Sequence, residues 1–205
     1  MQSYTKEQAL KIIVECARKY KENLLNQQLL FICSDKHKKI YTLEVSFDAS
    51  NFLHLTGVKT KNISPLDFFN RCIDSRLSVD DFEMADDSTT NLKLAVLPSL
   101  MKPNLSANTI GDYSGARANL YTEKLAGSVK ACMGFVTTEP SGRYVPNTVL
   151  NIDIRDYIKK PLRILATFRK QKNNNLYSEL VYKAKNVELS KIKLPEELLY
   201  IQELQ

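Results

Sequence analysis

The first part of the chain alternates between helical and extended patterns of apolar residues. A capping box precedes an apolar stripe at three- and four-residue spacing from Ala9 to Leu24, which predicts an amphipathic helix. The runs 28–33 and 40–47 are rich in β-branched and aromatic residues and flank the polar stretch 34–39. This arrangement predicts a β-hairpin.

Two more helices are predicted before the pattern changes. Ser64-Pro65 combines a capping side chain with proline at the first helical position, and a hydroxyl-rich loop precedes the apolar segment 91–100. Beyond Pro103 the extended runs, separated by turn residues, are 105–112, 118–124, 127–137, 144–150, 162–169 and 177–183. Such runs are typical of an antiparallel sheet. The chain is therefore predicted to have an α+β fold, with helices mostly first, a sheet mostly second and a short helix near 194–201.

Composition limits the class of protein. With 205 residues, 43% of them hydrophobic, the chain can form one domain spanning residues 1–205. It shows neither a secretory signal nor an apolar run long enough to cross a bilayer, so we expect a cytoplasmic protein with no membrane partner. The 4 cysteines form no C-x-x-C pair, which favours buried free thiols and gives no reason to expect a metal or cofactor.

Charge shifts the expectation towards an anionic partner. The formal net charge is +6 and the isoelectric point is about 9.0. Fixed positive charge raises the local concentration of phosphates, which makes nucleic acid a more plausible partner than average.

The chain has 2 histidines, and His54 is the stronger candidate for acid/base chemistry. His37 lies among lysines in the polar turn, where a solvated loop residue is expected. In an extended segment His54 and Thr56 would share one face, and the nearby Lys59 and Lys61 could help to bind a phosphate. Without further information, the segment alone favours a half-buried histidine hydrogen-bonded to a backbone carbonyl.

Other cations could complete a site. Lys93 lies in an apolar helix, so it either extends to water or, if it points inward, needs an anion. Arg143 and Tyr144 follow the turn Pro140-Ser141-Gly142. The last hairpin interleaves cations and aromatic residues, which are Arg163, Arg169, Lys170, Lys172, Tyr177 and Tyr182. This pattern suits stacking and phosphate pairing with single-stranded nucleic acid, although strands without any ligand also show it.

Several of these segments resemble one known family, the phage-associated Barnase, EndoU, colicin and RelE-like nuclease domains of the fourth type. The segments are Phe52 to Val58, Ser64-Pro65 with Phe68-Phe69, Lys93 before Leu97, Tyr144 to Asn147 leading to Leu150, Ile164 to Lys170, and Tyr177 to Lys185. They place a nuclease-like region at about residues 43–185. The resemblance implies N-terminal helices followed by a curved antiparallel β-sheet, and a metal-independent ribonuclease activity.

The resemblance also implies a mechanism in which a ribose 2′-hydroxyl attacks the neighbouring phosphate. His54 would act as base or acid, and Thr56 would hydrogen-bond a phosphate oxygen. Lys93, with Arg143 or Arg169, would stabilise the developing charge, and a lysine or tyrosine would carry the second proton. Nucleic-acid contacts are expected from Lys59, Lys61, Tyr144, Lys170 and Tyr177.

The biological expectation is an endoribonuclease of a mobile genetic element, either a toxin or an effector of phage–host conflict. RNA is the expected partner. A second expected partner is an antitoxin or other protein inhibitor. No cofactor is expected. Two alternatives are a non-catalytic module that binds RNA or protein on the same basic sheet, and a protein without nucleic-acid contact.

Overall fold

Helices and strands alternate before the chain enters a continuous run of strands. The computed structural model describes residues 3–115, 120–138 and 142–204. Its α-helices are α1 (Lys6–Asn23), α2 (Phe52–Thr56), α3 (Pro65–Ile73) and α4 (Thr89–Leu100). Its strands are β1 (Gln27–Ser34), β2 (Ile40–Ser46), β3 (Lys59–Thr60), β4 (Phe82–Glu83), β5 (Thr109–Tyr113), β6 (Lys124–Gly127), β7 (Cys132–Thr138), β8 (Arg143–Leu150), β9 (Ile158–Gln171) and β10 (Glu179–Lys183). Short 3-10 helices lie at Ala49–Asn51, Val79–Asp81, Ile154–Asp156, Leu189–Lys191 and Glu196–Glu203.

Local signals set several of these elements as predicted. The Thr5 hydroxyl accepts a hydrogen bond from the Gln8 amide, and the Gln8 side chain accepts one from the Thr5 amide, so the capping box of α1 is formed. Ser64 caps α3, whose first residue is Pro65. The predicted hairpin is confirmed, because β1 and β2 pair in antiparallel register.

Within the described chain, seven strands form a closed ring in the order β1-β2-β8-β7-β6-β5-β9. The ring closes because β9 is 14 residues long. Its first half pairs with β5, and residues 163–171 pair with β1. The short strand β10 extends from β9 outside the ring. The sheet is thus a barrel, a more closed form than the curved sheet that was expected.

One junction of the ring is weak. Strands β2 and β8 pair in parallel at one position, Val45 with Tyr144, whereas the other neighbours in the ring are antiparallel ladders. Among the described residues, no further pairing joins these two strands, and residues 139–141, which precede β8, lie outside the described part.

The sheet buries apolar residues on both faces. The main core joins the four α-helices to inward residues of the barrel, such as Phe31, Phe47, Phe135 and Val149. On the opposite face, Leu30, Ile32 and Phe168 pack against apolar side chains from the C-terminal segment 189–204. Helices and C-terminal segment therefore sandwich one part of the barrel wall.

The hairpin β1–β2 precedes α2, α3 and α4, as the order of the sequence patterns predicted. Two expectations need correction. The predicted run 118–124 forms a strand only at its last residue, Lys124, and residues 118 and 119 lie outside the described part. The predicted C-terminal helix is a 3-10 helix. Among the described residues, no helix combines the length and apolar character that a bilayer span requires.

Candidate functional site

The segment around His54 is a short helix, not the extended strand that was expected. Helix α2 contains Phe52 to Thr56 and ends at Gly57, whose φ is 74°. In a helical turn, residues two apart point in different directions. Thr56 is accordingly buried, with 0% of its surface exposed, while His54 faces solvent. The prediction that the two side chains share one face was therefore wrong.

Side chains cap the carbonyl groups at the end of this helix, which we call the α2 turn (residues 52–57). The Thr56 hydroxyl donates to the Leu53 carbonyl at 2.7 Å. From α4, the Lys93 ammonium donates to the His54 carbonyl and the Thr90 hydroxyl to the Gly57 carbonyl, each at 2.7 Å. Carbonyls at the end of a helix have no partner within it, so the two bonds from Lys93 and Thr90 also hold α2 against α4.

Gly57 is required for the same packing. A Cβ atom at this position would lie 2.8 Å from Cδ of Lys93 and 3.3 Å from Cα of Thr90. The left-handed backbone is also one that glycine adopts without strain. Most of the segment that carries the family resemblance is thus explained by local structure, and the imidazole of His54 is the part left facing outward.

Partial desolvation shifts the pKa values of both His54 and Lys93. Desolvation lowers the pKa of Lys93 to about 8, and it also lowers the pKa of His54, with a further contribution from the Lys93 charge. Lys93 hydrogen-bonds a carbonyl rather than a carboxylate. Such groups are candidates for proton transfer or for anion binding.

The other expected residues do not join this pair. Arg169 forms a bidentate ion pair with Glu179 and donates to the Asn23 carbonyl at 3.1 Å. Its charge is therefore already compensated by Glu179. Lys61 pairs with Glu83 at 2.8 Å, whereas Lys59 is exposed on β3.

Tyr177 cannot stack on an RNA base in this structure, contrary to expectation. Only 3% of its surface is exposed, because it packs in the apolar layer under the C-terminal segment. The Lys170 ammonium lies 4.8 Å from the centre of the Tyr177 ring, so this lysine also contacts the protein itself.

A large cavity opens at one end of the barrel. Its volume is about 810 Å³, and it lies where β1 ends and where β2, β6 and β9 begin. We call it the end cavity. Its lining residues are Cys33, Asp35, Lys36, His37, Tyr41, Thr42, Leu43, Ile110, Gly111, Asp112, Lys124, Lys160, Pro161 and Leu162. Four of them, Cys33, Leu43, Ile110 and Leu162, belong to or pack against the main core and form an apolar floor.

Charged groups surround that floor. Lys124 binds Asp112 with an N–O distance of 2.5 Å, and Lys160 lies 4.0 Å from the other oxygen of Asp112. Desolvation is the largest single effect and opposes the charge on Lys124, but the hydrogen bond to Asp112 and the nearby charges of Tyr144, Asp112 and Glu123 together raise the pKa of Lys124. The pair presents a donor and an acceptor side by side.

The turn that carries His37 is fixed by Asp35. One oxygen of the Asp35 carboxylate accepts the amide hydrogens of His37 and Lys39, each at 2.9 Å. The other oxygen accepts the Tyr41 hydroxyl at 3.3 Å. These bonds define the backbone from which the exposed imidazole of His37 reaches the cavity rim.

A β-bulge shapes the opposite rim. Lys160 and Pro161 of β9 lie opposite the single residue Gly111 of β5. Lys160 has a φ of 49°, a left-handed conformation that is uncommon for lysine, and its side chain is 86% exposed. A Cβ on Gly111 would lie 2.9 Å from the Lys159 carbonyl oxygen, so the close approach requires glycine. Bulges and left-handed non-glycine residues occur often beside active sites.

Two of the expected residues lie near the weak junction of the barrel. The Tyr144 ring is 5.7 Å from the Lys124 ammonium, so Tyr144 adjoins the end cavity. Arg143 contributes to the electrostatic environment of Tyr177 on the other face of the sheet. The turn before Arg143 lies outside the described residues except for Gly142.

His37, Lys124, Lys160 and Asp112 were not selected from the sequence. His37 was correctly predicted to lie in a polar turn, but that turn meets β5, β6 and β9 only in the folded barrel. One signal was available, because a lysine directly before proline within an extended run indicates an irregular strand. Within residues 3–115, 120–138 and 142–204, no group of three or more His, Cys, Asp or Glu side chains is arranged to hold a metal ion.

An α+β barrel with a cationic cavity at one end is the kind of scaffold on which phosphate chemistry can take place. The family model described as phage-Barnase-EndoU-ColicinE5/D-RelE like nuclease 4 matches residues 12–186. The chain belongs to this family of nucleases, as its sequence segments predicted. The match begins within α1 and ends before the C-terminal 3-10 helices. Comparison with curated proteins and with solved structures found no match.

Proposed function

We propose that this protein is a metal-independent endoribonuclease and that the end cavity binds the scissile segment of the RNA. The observation that carries the proposal is the cavity, in which His37 and three lysines surround an apolar floor, in a chain of a nuclease family. The volume of about 810 Å³ lies within the range of about 300–1,000 Å³ that ligand pockets occupy.

The reaction needs groups that the cavity contains. A ribose 2′-hydroxyl attacks the adjacent phosphorus, its proton passes to His37, and the bond from phosphorus to the 5′ oxygen breaks. The leaving oxygen takes up a proton from a second group, for which the Tyr41 hydroxyl on the cavity wall is the candidate donor. Lys36 and Lys160 supply positive charge to the phosphate in the transition state.

The remaining cavity residues suit a nucleobase. The apolar floor can cover the face of a base, and the ion pair of Asp112 and Lys124 can hydrogen-bond to its edge. Base and phosphate would thus be held by different parts of one cavity, which orients the 2′-hydroxyl for attack.

The second candidate site contains His54 and Lys93, which the sequence had placed first. The lowered pKa of Lys93, about 8, favours it, because a lysine that loses its proton near neutrality can act as a base. In this alternative the exposed His54 imidazole would contact the RNA, with Lys59 nearby on β3. Thr56 and Arg169 would have no direct part, since both are engaged within the protein.

The decisive experiment compares the two histidines. Cleavage of a single-stranded RNA oligonucleotide is measured with excess EDTA for the unchanged protein, His37→Ala and His54→Ala. We expect His37→Ala to lower the rate by about 10²–10⁴-fold, the usual contribution of an acid/base group, and His54→Ala to change it less than about 3-fold. A 2′-deoxy substitution at the cleaved position should abolish cutting, because it removes the nucleophile.

Other results would redirect the proposal. Loss of activity in His54→Ala with normal activity in His37→Ala would move the site to the α2 turn. If the folded, unchanged protein cuts no RNA at any salt concentration, it is not a ribonuclease. Salt-dependent RNA binding that persists without cleavage would then support the non-catalytic binding module.

We further propose that the enzyme serves a mobile genetic element as a toxin or conflict effector in the cytoplasm, and that a protein inhibitor restrains it. The phage origin named in the family description supports this role. Expression of the unchanged protein in a bacterial culture should arrest growth, and expression of His37→Ala should not. Equal growth of the two cultures would contradict a toxic activity that depends on the end cavity.

A further inference from the structure

Positive charge is concentrated in three segments of the chain. The segments 36–39, 159–163 and 183–187 contain eight of the 29 Lys and Arg residues and none of the 23 Asp and Glu residues. The rest of the chain therefore has more acidic than basic side chains, so the positive net charge of the protein comes from these segments. Such a clustering of cations is the electrostatic footprint of a surface that binds a polyanion.

The first two segments meet at the end cavity. Lys36 and His37 line it from the turn between β1 and β2, and residues 160–162 line it from β9. Ser34, the last residue of β1, pairs with Arg163, which directly follows the cavity-lining residues of β9. A strand ladder thus holds these two basic segments side by side.

Arg163 lies on the outside of the barrel. Its neighbours Leu162 and Ile164 belong to or pack against the main core. Successive side chains of a strand lie on opposite faces, and Arg163 is accordingly exposed. It therefore lies just over the rim from the cavity, at the residue where β9 passes from its pairing with β5 to its pairing with β1.

The third segment continues the same outer face. Lys183, the last residue of β10, pairs with Ala166, which packs in the apolar layer outside the barrel. Residues paired across two strands share a face, so Lys183 also lies outside. The Arg163 guanidinium donates to the Lys185 carbonyl at 3.4 Å, which joins this segment to β9. We call the three exposed residues Arg163, Lys183 and Lys185 the outer basic track.

The charges of the outer basic track are not compensated by carboxylates. Among the described residues, none of its side chains forms an ion pair, whereas Arg169 is paired with Glu179 and Lys191 with Glu188. The exposed large apolar side chains of the described chain lie outside all three basic segments. Because the cores of protein–protein interfaces are depleted of charge, such a surface suits a polyanion better than a protein.

We propose that the outer basic track binds backbone phosphates of single-stranded RNA, next to the nucleotide that the end cavity holds. The inference rests on the proposed function of that cavity. The strand leaves the cavity over the rim formed by residues 160–162 and continues along the outside of β9 and β10. Contacts of lysine and arginine with phosphates add affinity that does not depend on sequence and that falls as salt releases fewer counterions.

Binding of uncleavable RNA tests the inference separately from catalysis. A fluorescent 2′-O-methyl decaribonucleotide lacks the nucleophile and extends beyond the cavity, whereas a nucleoside monophosphate probes the cavity alone. Dissociation constants for both are measured over a range of salt concentrations with the unchanged protein and two triple variants. The track variant carries Arg163→Gln, Lys183→Gln and Lys185→Gln. The control variant removes as many exposed cations from α1 and from the turn between β6 and β7, with Lys11→Gln, Lys21→Gln and Lys130→Gln.

The salt dependence should distinguish the two variants. Each phosphate contact of a single strand contributes about 0.7 to the slope of log affinity against log salt concentration, so the track variant should lower the slope by about two units. Decamer binding should weaken by about 100-fold at about 0.1 M salt, one decade below the concentration at which such contacts contribute little. The control variant should bind the decamer within about 3-fold of the unchanged protein. Mononucleotide binding should stay within about 3-fold in both variants, because exposed charges beyond contact are screened.

Further variants separate charge from structure. Arg163→Lys keeps the charge and should keep the slope for the decamer. The double variant with Lys183→Gln and Lys185→Gln leaves the bond from Arg163 to the Lys185 carbonyl in place, and it should lower the slope by about 1.4 units. A DNA decamer of the same sequence has the same phosphates without the 2′-hydroxyl, so the track variant should lower its slope as much as that of the RNA.

Each outcome decides the inference. An unchanged slope in the track variant overturns it, as does an equal reduction in the control variant, which would indicate diffuse attraction. Equal losses of mononucleotide and decamer binding overturn it too, because the variant would then have damaged the cavity, and so does absence of decamer binding by the unchanged protein. If the expected pattern is found while unmodified RNA is not cut, the track stands and the catalytic proposal fails. If unmodified RNA is cut and the track variant binds normally, the track alone fails.

Discussion

His54 and His37 lie in regions whose polar groups are used in different ways. In the α2 turn, the side chains of Thr56, Lys93 and Thr90 are bonded to backbone carbonyls, and aromatic rings from α1 and α3 pack against Phe52. At the end cavity, His37, Lys36 and Lys160 line an open space together with apolar residues, and Lys124 is paired with Asp112. The first arrangement completes hydrogen bonds within the protein, and the second places charged groups around a space of ligand size.

The contrast shows why a specific sequence segment need not be the reactive one. Few residue types fit positions 52–57, because a five-residue helix must be capped, buried and joined to α4 within a small space. Packing and capping alone therefore account for most of these residue types. The resemblance therefore identified the family without settling which histidine reacts.

The largest expected difference between the two regions is in stability. Phe52→Ala removes a fully buried ring whose centroid lies 5.3 Å from that of Tyr20 and 5.5 Å from that of Phe69. We expect it to lower the free energy of unfolding by about 3–5 kcal/mol. Tyr41→Ala, on the cavity wall, should cost less than about 1 kcal/mol because its ring is partly exposed. Urea unfolding measures both, and similar losses would mean that the cavity wall is as tightly packed as the α2 turn.

Lys124→Met should separate binding from folding. The substitution keeps an apolar stem of similar length but removes the partner of Asp112 and one charge from the cavity. We expect RNA affinity to fall by about 10- to 100-fold, as for a hydrogen bond to a charged group, with stability changed by less than about 1 kcal/mol. Fluorescence anisotropy and urea unfolding give the two values. Unchanged RNA affinity would remove Lys124 from the binding site.

Lys93→Met should stabilise the protein, in contrast to the usual effect of a mutation. Desolvation lowers the pKa of Lys93 from 10.5 to about 8, so the native state binds fewer protons than the unfolded state between these values. Stability contributed by this group therefore rises as the pH rises from about 8 to 10.5, and its full cost is present below about pH 8. At pH 7 we expect Lys93→Met to gain about 1–2 kcal/mol, after allowance for the lost bond to the His54 carbonyl.

The pH dependence of that gain provides its control. The stability difference between Lys93→Met and the unchanged protein, measured by urea unfolding, should shrink steadily from pH 8 to pH 10.5. A constant difference across this range would mean that the lysine is fully ionised in the native state. A loss of stability at pH 7 would mean that its role as a cap of α2 exceeds the cost of its burial.

The smallest expected effect concerns the exposed rim. Lys160→Ala should weaken RNA binding only modestly, because its side chain is 86% exposed and is screened by salt. Its signature should be a reduction of about one unit in the slope of log affinity against log salt concentration, as expected when one phosphate contact is lost. The exposed Lys11 on α1 offers a control, since Lys11→Ala should leave the slope unchanged. Equal effects of both substitutions would indicate diffuse attraction rather than a defined phosphate contact.

Parts of this structure could be predicted residue by residue. The capping box at Thr5 determined where α1 begins, Ser64-Pro65 determined the start of α3, and the β1–β2 hairpin followed from two apolar runs around a polar turn. These signals act between neighbours in the chain, so the sequence contains them directly. The class of fold followed from the same local patterns, and the family was indicated by the resemblance of several segments to a known one.

The α2 turn shows where such reasoning fails. Leu53 and Leu55 alternate with His54 and Thr56, a pattern that is compatible with a strand as well as with one helical turn. The choice depends on Lys93 and Thr90, which lie more than thirty residues away and cap the turn from α4. Local propensity is weak in so short a segment, and tertiary hydrogen bonds decide it.

The sequence by itself determined an α+β protein of a nuclease family with a positive charge and two histidines. Only the tertiary structure decided that the second half of β9 returns to β1, which closes the barrel and brings His37 to the same cavity as Lys124 and Lys160. The reason is physical: strand register and ring closure depend on which distant strands can bury their apolar faces together. A local pattern does not carry that information, so the candidate site became visible only once the chain was folded.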